Sequence, residues 1–214
     1  MGSIDNFRIE LDKYEEIISN TSIDPVNVVE VGSQNGWDAE RLCTSFNVRA
    51  SNVYIIEAHP GFYQTIKADY PEYNVYNLAG SNVNGTVSFN AAKNFDDGRS
   101  SFLQRDIYDS DIFVSIDVDC IRMDRFMVEH NLDTIDILKI DVEGATHQVL
   151  EGFGERLKDV KSIQLEAELQ PFWNDSMLWN ELKLYLESKG FKLMWHTNIG
   201  DAQTDSVWLN GEYL

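Results

Sequence analysis

Short runs of β-branched and apolar residues alternate with helical patterns along this chain. The runs "VNVVEV" (26–31), "NVYIIEA" (52–58) and "EYNVYNLA" (72–79) have the length and composition of buried strands. Two helical patterns, "GWDAERLCTSF" and "GFYQTIKADY", separate them. Strands that alternate with helices in this way predict a parallel sheet with helices on both faces.

The same alternation returns in the second half of the chain. "TIDILKID" predicts a fourth strand, "THQVLEGFGERL" a helix and "KSIQLEAEL" a fifth strand. "SMLWNELKLYLESKG" predicts a helix capped by Gly190, and "FKLMWHT" and "DSVWLN" predict an antiparallel strand pair after it. Between the two halves, "GTVSFNAAK" (85–93) indicates part of a small hairpin and "RMDRFMVEHN" a helix.

The composition is strongly acidic. The 36 Asp and Glu residues against 17 Lys and Arg give a formal net charge of −19, which repels phosphate backbones and anionic membrane surfaces. Nucleic acid is therefore disfavoured as a partner. Because the chain has no membrane-length apolar run, no secretory leader and no disulfide framework, we expect a cytoplasmic protein without a membrane partner. The oligomeric state stays open.

The loop after the first strand has the features of a ligand-binding turn. In "VVEVGSQNGWD", the acid Glu30 lies near the strand end, and Gly32 and Gly36 flank the turn into a helix. Glycine lets the backbone approach a ligand closely, and the helix terminus presents free N–H groups. The candidate binding residues of this loop and of the end of the second strand are Glu30, Gly32, Ser33, Gln34, Asn35, Gly36, Glu57 and Ala58.

The turn differs from a dinucleotide-binding turn. "GSQNG" lacks the G-x-G-x-x-G pattern, which disfavours a nicotinamide dehydrogenase. An acid before the glycines and a second acid, Glu57, at the end of the next strand resemble the S-adenosylmethionine site of Rossmann-like methyltransferases. That resemblance implies that the first loop cradles the methionine part of the cofactor and that Glu57 binds its ribose.

A second stretch resembles one family of these enzymes in detail. "CIRMDRFMVEHNLDTIDILKIDVEGATHQVLEGF" is similar to the hallmark segment of the FkbM family of S-adenosylmethionine-dependent methyltransferases, and the likeness extends over roughly residues 26–168. The chain departs from the family at Thr146, where relatives commonly carry a glutamate. The residues that match the family pattern are Met123, Asp124, Asp136, Lys139, Asp141, Glu143, Gly144, Val149, Leu150 and Gly152.

The resemblance implies a fold, a cofactor and a reaction. We expect a single α/β domain over 1–214 with the Rossmann-like class I methyltransferase fold, a mostly parallel seven-stranded sheet with helices on both faces. Its parts are an N-terminal helix within 1–24, a cofactor-binding core over 25–168, and a C-terminal helix and antiparallel strand pair over 169–214. The family transfers methyl groups to oxygens of varied small molecules and sugars. Ala79, Gly80 and Ser81 are the expected neighbours of the adenine.

The charges in "KIDVEG" predict the catalytic end of the cofactor site. Ligands of open parallel sheets bind beyond the carboxyl ends of the strands, so Asp141 is expected near the transferred methyl and Glu143 beside it. A carboxylate can accept the proton of the acceptor hydroxyl or hold a divalent metal such as Mg²⁺, with Asp141, Glu143 and Glu166 as candidate ligands, joined by Glu168 as a further possibility. Further candidates for catalysis are Lys139, for which a buried structural ion pair is the favoured reading, and His196, as a base.

Two more segments have candidate roles. "DDGRSSFLQRD", with Arg99, Ser100 and Ser101, is predicted to cover the cofactor or a small hydroxylated acceptor. Phe172, Trp173 and Trp179 either shape the acceptor pocket or belong to the core. The competing hypothesis for the whole protein is a catalytically silent S-adenosylmethionine-binding regulator or scaffold, because the sequence does not define the base.

Overall fold

The computed structural model describes residues 9–94, 98–105 and 111–214. Its larger sheet has the spatial order β3-β2-β1-β7-β8-β10-β9, in which the first five strands are parallel and β10 is antiparallel to both neighbours. The mostly parallel seven-stranded sheet predicted from the sequence is therefore confirmed. Its strands are β1 (Val28–Val31), β2 (Val53–Ile56), β3 (Asn74–Tyr76), β7 (Ile137–Ile140), β8 (Ser162–Glu168), β9 (Phe191–Ile199) and β10 (Gln203–Asn210).

Helices cover both faces of this sheet, as predicted. The first three pack against one face through a core that includes Leu11, Leu42 and Ile66, and the last three pack against the other through residues such as Phe126 and Leu150. No helix in the described ranges is long and apolar enough to cross a lipid bilayer. Residues 5–8 of the predicted N-terminal helix lie outside the described ranges. The helices are α1 (Ile9–Ser19), α2 (Trp37–Ser45), α3 (Pro60–Asp69), α4 (Met123–Glu129), α5 (Thr146–Gly152) and α6 (Trp179–Ser188).

The strand predicted over residues 72–79 was wrong in its extent. Strand β3 ends at Tyr76, and Ala79–Ser81 forms a separate strand, β4, in a second sheet. The Asn77 side chain donates hydrogen bonds of 2.9 Å to the carbonyls of Glu57 and Ala58, which turns the chain away from the edge of the large sheet. Ala79 and Gly80 therefore do not end the third strand.

The second sheet has three strands in the order β4-β6-β5. Strand β5 (Gly85–Ala92) pairs antiparallel with β6 (Phe113–Arg122), and β6 pairs parallel with β4. The hairpin prediction for residues 85–93 was thus correct for β5, whereas β6 was not predicted. In this sheet, β4 lies next to the carboxyl end of β1. The two strands are so close that a Cβ atom added at Gly80 would meet the side chain of Val31.

The carboxyl ends of three parallel strands meet at the centre of the large sheet. Val31, the last residue of β1, pairs with Ile56 of β2 on one side and with Ile140 of β7 on the other. The chain visits β2 and β3 before it crosses back to β7, so the strand order reverses at β1. Ligands of open α/β sheets bind at such a reversal point. The loops that follow β1, β2 and β7 all begin there.

Candidate methyltransferase site

A cavity of about 600 Å³ opens at this edge of the sheet. Its volume lies within the range of about 300–1,000 Å³ that is usual for small-molecule sites. One part of its wall comes from the loops after β1 and β2 and from β4: Gly32, Ser33, Gln34, Asn35, Glu57, Ala58, Ala79 and Gly80. The other part comes from β7, β8 and β10 and the loop after β7: Lys139, Asp141, Val142, Glu143, Gln164, Glu166, Gln203 and Asp205.

Most of the residues predicted to bind the cofactor line this cavity. The exceptions are Glu30, Gly36 and Ser81, which do not line the cavity. The Ser33 hydroxyl donates a hydrogen bond to the Glu30 carboxylate at 2.7 Å and accepts one from the Gly36 backbone N–H at 3.0 Å. Glu30 and Gly36 therefore determine the shape of the loop over residues 32–36 from behind.

Gly32 is the point of closest approach in this loop. Its φ of +76° is a left-handed conformation that other residues rarely adopt, and a Cβ atom there would collide with the carbonyl oxygen of Asp141. The Gly32 N–H bonds to the carbonyl of Ile56 at 2.9 Å, and the Asp141 N–H bonds to the carbonyl of Val31 at 2.9 Å. The loop after β1 and the end of β7 at Asp141 are thus in direct backbone contact, with no side chain between them.

Glu57 holds the same loop from the side of β2. Its carboxylate accepts hydrogen bonds from the backbone N–H groups of Ser33, Gln34 and His59 at 2.9, 3.0 and 2.7 Å. The side chain is buried, and burial raises the pKa of Glu57 while these three donors lower it. Glu57 lines the cavity, but both of its oxygens are engaged in shaping the loop.

Lys139 joins the charges of three elements at the base of the cavity. Its ammonium nitrogen lies 3.0 Å from Asp38 of α2, 3.2 Å from Asp141 and 3.9 Å from Glu30 of β1. Burial lowers the pKa of Lys139, but the attraction of Asp141, Asp38 and Glu30 raises it well above its ordinary value. Lys139 is therefore a charged lysine in an ion cluster, the arrangement that the favoured sequence interpretation described.

A group of acids lies beyond Asp141. The carboxylates of Glu143, Glu166 and Glu168 each offer an oxygen within 4.8 Å of the others. Burial, together with repulsion from Asp141 and Glu168, raises the pKa of Glu143 to about 8. Of the predicted metal candidates, Glu143 and Glu166 belong to this group; Asp141 lies outside it and pairs with Lys139.

Some candidates are not brought to the cavity. His196 of β9 is exposed and lies 5.4 Å from the ring of Trp179, whereas its neighbour Thr197 lines the cavity from the opposite face of the strand. Trp173 and Trp179 are buried, with Trp173 filling the space beside Gly144, where a Cβ atom would collide with it. The structure thus places these two tryptophans in the core, and neither they nor Phe172 line the cavity.

The predicted covering segment is only partly described. Gly98, Ser100, Ser101 and Phe102 line the cavity, while residues 95–97 and 106–110 lie outside the described ranges. The Ser101 backbone forms hydrogen bonds with the Asn90 backbone at 2.8 and 3.3 Å. This contact attaches the segment to the second sheet at the rim of the cavity.

Sequence reasoning missed several lining residues. Glu10, Trp37, Asp38, Gln164 and Asp205 all line the cavity. Asp205 could have been selected from the sequence, because it is a carboxylate inside a strand whose other residues are mostly buried. The Glu10 position depends on how α1 docks, which the local sequence does not show.

The family departure at Thr146 has a structural role in this chain. Thr146 is buried at the start of α5, and its hydroxyl donates a hydrogen bond to the Glu166 carbonyl at 2.8 Å. A threonine at this position therefore fixes α5 against β8, beneath the acids of the cavity.

Comparison with solved structures identifies the fold. Methyltransferase FkbM from Methylobacillus flagellatus KT superposes with a TM-score of 0.52 at 17% identity, over 86% of this chain and 44% of that one. A protein of the NADB-Rossmann superfamily from Streptococcus agalactiae gives 0.51 at 14% identity, over 93% and 68%. Aeropyrum pernix fibrillarin, solved with natively bound S-adenosyl-L-methionine, gives 0.52 at 8% identity, over 94% and 74%. These structures share the Rossmann-like fold, and this chain spans less than half of the Methylobacillus protein.

A family comparison is more specific. A search of curated proteins finds no match to this chain. The family model described as the methyltransferase FkbM domain matches residues 30–193, which contain the loop after β1, the strand end at Asp141 and the acids of β8. The chain belongs to the FkbM methyltransferase family.

Proposed function

We propose that this protein binds S-adenosylmethionine and transfers its methyl group to an oxygen of a small hydroxylated molecule or sugar. The observation that carries the proposal is the close contact of the glycine loop at Gly32 with the strand end at Asp141, at the base of a cavity of about 600 Å³. Family membership supports methyl transfer, and the carboxylates beyond Asp141 support a hydroxyl acceptor. The net charge of −19 disfavours nucleic acid as that acceptor.

The residues of the cavity fit this cofactor. Because Gly32 has no side chain, the loop backbone can lie close to the ligand. Ser33, Gln34 and Asn35 line the same part of the wall. When bound, S-adenosylmethionine supplies an electrophilic methyl group on a sulfonium. The glycine loop holds the methionine part, and the wall formed by Ala58, Ala79 and Gly80 holds the nucleoside.

Glu143 is our candidate for the proton acceptor. A general base works best when its pKa lies near the operating pH, and burial raises the pKa of Glu143 to about 8. In this mechanism Glu143 takes the hydroxyl proton of the acceptor while Asp141, fixed by Lys139, orients the reacting groups. His196 takes no part, because it lies on the far face of β9.

A divalent ion such as Mg²⁺ would find its oxygen ligands in Glu143, Glu166 and Glu168. Such an ion would supply Lewis-acid activation of the acceptor hydroxyl. Methyl transfer measured with EDTA and with added MgCl₂ distinguishes the two mechanisms: proton transfer to Glu143 alone predicts equal rates under both conditions.

The first test is calorimetric titration with S-adenosylhomocysteine, with NADH as the control ligand. We expect micromolar binding of S-adenosylhomocysteine and none of NADH. The absence of S-adenosylhomocysteine binding by folded protein would refute the proposal. Binding without transfer to any acceptor in a broad panel of alcohols and sugars would favour the silent regulator instead.

A further inference from the structure

The cavity wall beyond Asp141 has a distinct chemistry. We call this wall the acceptor half and define it by Glu10, Glu143, Gln164, Glu166 and Asp205, all of which line the cavity. It contains four carboxylates from α1, the loop after β7, β8 and β10. Because the loop after β1 lies on the other side of Asp141, this half is the part left for the acceptor.

Two of these acids lie directly opposite each other on neighbouring strands. Asp205 of β10 is the direct register partner of Glu166 of β8, so both side chains lie on the same face of the sheet. Like charges directly opposite each other destabilise a sheet. Ionisation of both acids at once is therefore costly unless a cation lies between them.

Few cations act on these acids in the described part of the chain. Arg99 and Arg105 attract Glu143, and Lys139 attracts Glu10 and Asp205, but the main influences on Glu166 are burial and other acids. The Lys139 ammonium is already surrounded by Asp38, Asp141 and Glu30. The acceptor half therefore contains more carboxyl groups than cations that could pair with them.

Gln164 provides an independent observation that points to a ligand. Its amide nitrogen donates to Asp205 Oδ1 at 3.2 Å, which orients the amide. Its Oε1 atom is buried and has no hydrogen-bond partner among the described residues, and the side chain is only 2% exposed. A buried acceptor without a donor is costly, so the site lacks a group that donates hydrogen bonds.

We infer that the acceptor carries a protonated amine, which binds to Glu166, Asp205 and Gln164 Oε1 while a neighbouring hydroxyl is methylated. An ammonium has three donors and no acceptor, which matches a site made of carboxylates and one amide oxygen. The substrate class is an amino sugar or another amino alcohol. This inference rests on the proposed function, because it assigns the acceptor of that same site.

At the cavity rim, Trp37 is 64% exposed and offers an aromatic face to the sugar or to the ammonium.

The alternative explanation is that these acids stabilise the positive sulfonium of the cofactor and not an amine of the acceptor. The experiment therefore uses protein saturated with S-adenosylhomocysteine, whose sulfur is uncharged. Calorimetric titrations compare D-glucosamine with N-acetyl-D-glucosamine, and serinol with N-acetylserinol, near neutral pH. We expect each amine to bind about tenfold or more tightly than its acetylated partner.

Two variants locate the effect. Asp205→Asn keeps an oxygen for the Gln164 amide, and we expect it to reduce the preference for the amine about tenfold. Asp201→Asn is the matched control, since it changes the same charge in the exposed turn before β10 and leaves the preference unchanged. Glu166→Gln provides a second route if Asp205→Asn is poorly folded. Affinity for S-adenosylhomocysteine, measured in parallel, reports on the integrity of the site.

Each outcome has a distinct meaning. Equal binding of amine and acetylated partners in the saturated protein would overturn this inference and leave the proposed function intact. An equal effect of Asp201→Asn and Asp205→Asn would also overturn it, since the preference would then arise from total charge. Titration with MgCl₂ that gives Glu166-dependent binding, without amine preference, would replace the ammonium by a metal ion. If S-adenosylhomocysteine itself does not bind, the proposed function fails first.

Discussion

At the scale of single residues, Lys139 is the side chain on which the base of the cavity most depends. It is 3% exposed and lies 3.9 Å from Glu30, which is fully buried. Lys139→Met would remove the ion pairs with Asp38 and Asp141 and the attraction to Glu30, which would then stay protonated, so we expect the free energy of unfolding to fall by about 1–3 kcal/mol. Urea denaturation measures this, with Lys192→Met on the exposed edge of β9 as the control. A loss equal to that of the control would mean that the ion cluster contributes nothing.

Substitution of Asp141 tests whether the protein is an enzyme or a catalytically silent binding protein. Its side chain is 44% exposed to the cavity and accepts a hydrogen bond from Lys139 at 3.2 Å. Asp141→Asn keeps the shape and removes the charge, so we expect methyl transfer to fall about 100-fold while S-adenosylhomocysteine affinity changes only a few-fold. Asp117→Asn on the exposed face of β6 serves as the control in the same radiometric assay. Unchanged transfer by Asp141→Asn would remove Asp141 from the mechanism.

Local patterns predicted some site residues and not others. Lys139, Asp141 and Glu143 were predictable because they follow one another at the end of a recognisable strand. The Glu166 and Asp205 pair was not, because it depends on the antiparallel register between β8 and β10, which is determined by the whole sheet. Glu57 lies in the cavity wall, and its predicted contact with the ribose stays a prediction. Its three bonds to backbone N–H groups depend on a loop that the sequence shows only as a glycine pattern.

At the scale of elements, the loop between β1 and α2 depends on Gly32. Gly32→Ala would place a Cβ atom against the Asp141 carbonyl oxygen as well as straining a φ of +76°. Gly190→Ala is a matched control, because Gly190 has a φ of +89° but open space around the added carbon. We expect about 1 kcal/mol of destabilisation at Gly190 and clearly more at Gly32, with loss of S-adenosylhomocysteine binding for Gly32→Ala only.

Thermal unfolding and calorimetry of the two glycine variants test this prediction. If Gly32→Ala and Gly190→Ala lose the same stability and both retain the ligand, the contact with Asp141 is not what requires a glycine. A ligand-binding defect in both variants would instead indicate a general loss of folding.

The elements that were predicted correctly are those with strong local signals. Strands β1, β2, β7 and β8 are short runs of buried residues, and each gave a clear apolar pattern. Strand β6 mixes buried and exposed residues and contains two acids, Asp117 and Asp119, and it is stabilised by pairing with β5 rather than by burial on both faces. The chain turns between β3 and β4 because the Asn77 side chain donates hydrogen bonds to the carbonyls of Glu57 and Ala58. Hydrophobic periodicity cannot predict such a contact.

At the scale of the whole molecule, buried acids make stability depend on pH. The pKa of each of Glu30, Glu143 and Asp205 is raised to about 8 in the folded protein, mainly by burial. In the unfolded chain these groups titrate near pH 4, so between about pH 4 and pH 8 the folded state binds more protons. The stability they contribute is fully present below about pH 4 and is lost progressively as the pH rises to about 8, the folded pKa.

We therefore expect the melting temperature of the free protein to fall by several degrees between about pH 5 and about pH 8, and to level off above that. The charged and titratable groups that face Asp205 are Glu10 on α1, Asp38 on α2, Lys139 and Asp141 from β7 and its end, and Glu166 on β8. Asp205→Asn removes one of these titrations and should flatten the decline, whereas the exposed Asp201→Asn should not.

Added salt distinguishes the pH dependence caused by buried acids from that caused by repulsion between surface charges. The net charge of −19 also destabilises the folded state, but exposed charges are screened by about 0.5 M NaCl, and buried carboxylates are screened much less. The decline with pH should therefore persist at high salt, and saturation with an amino alcohol should reduce it, because an ammonium stabilises the ionised acids of the cavity. A decline that disappears in salt would assign it to the surface, and the acids of the cavity would then contribute little to the pH dependence of stability.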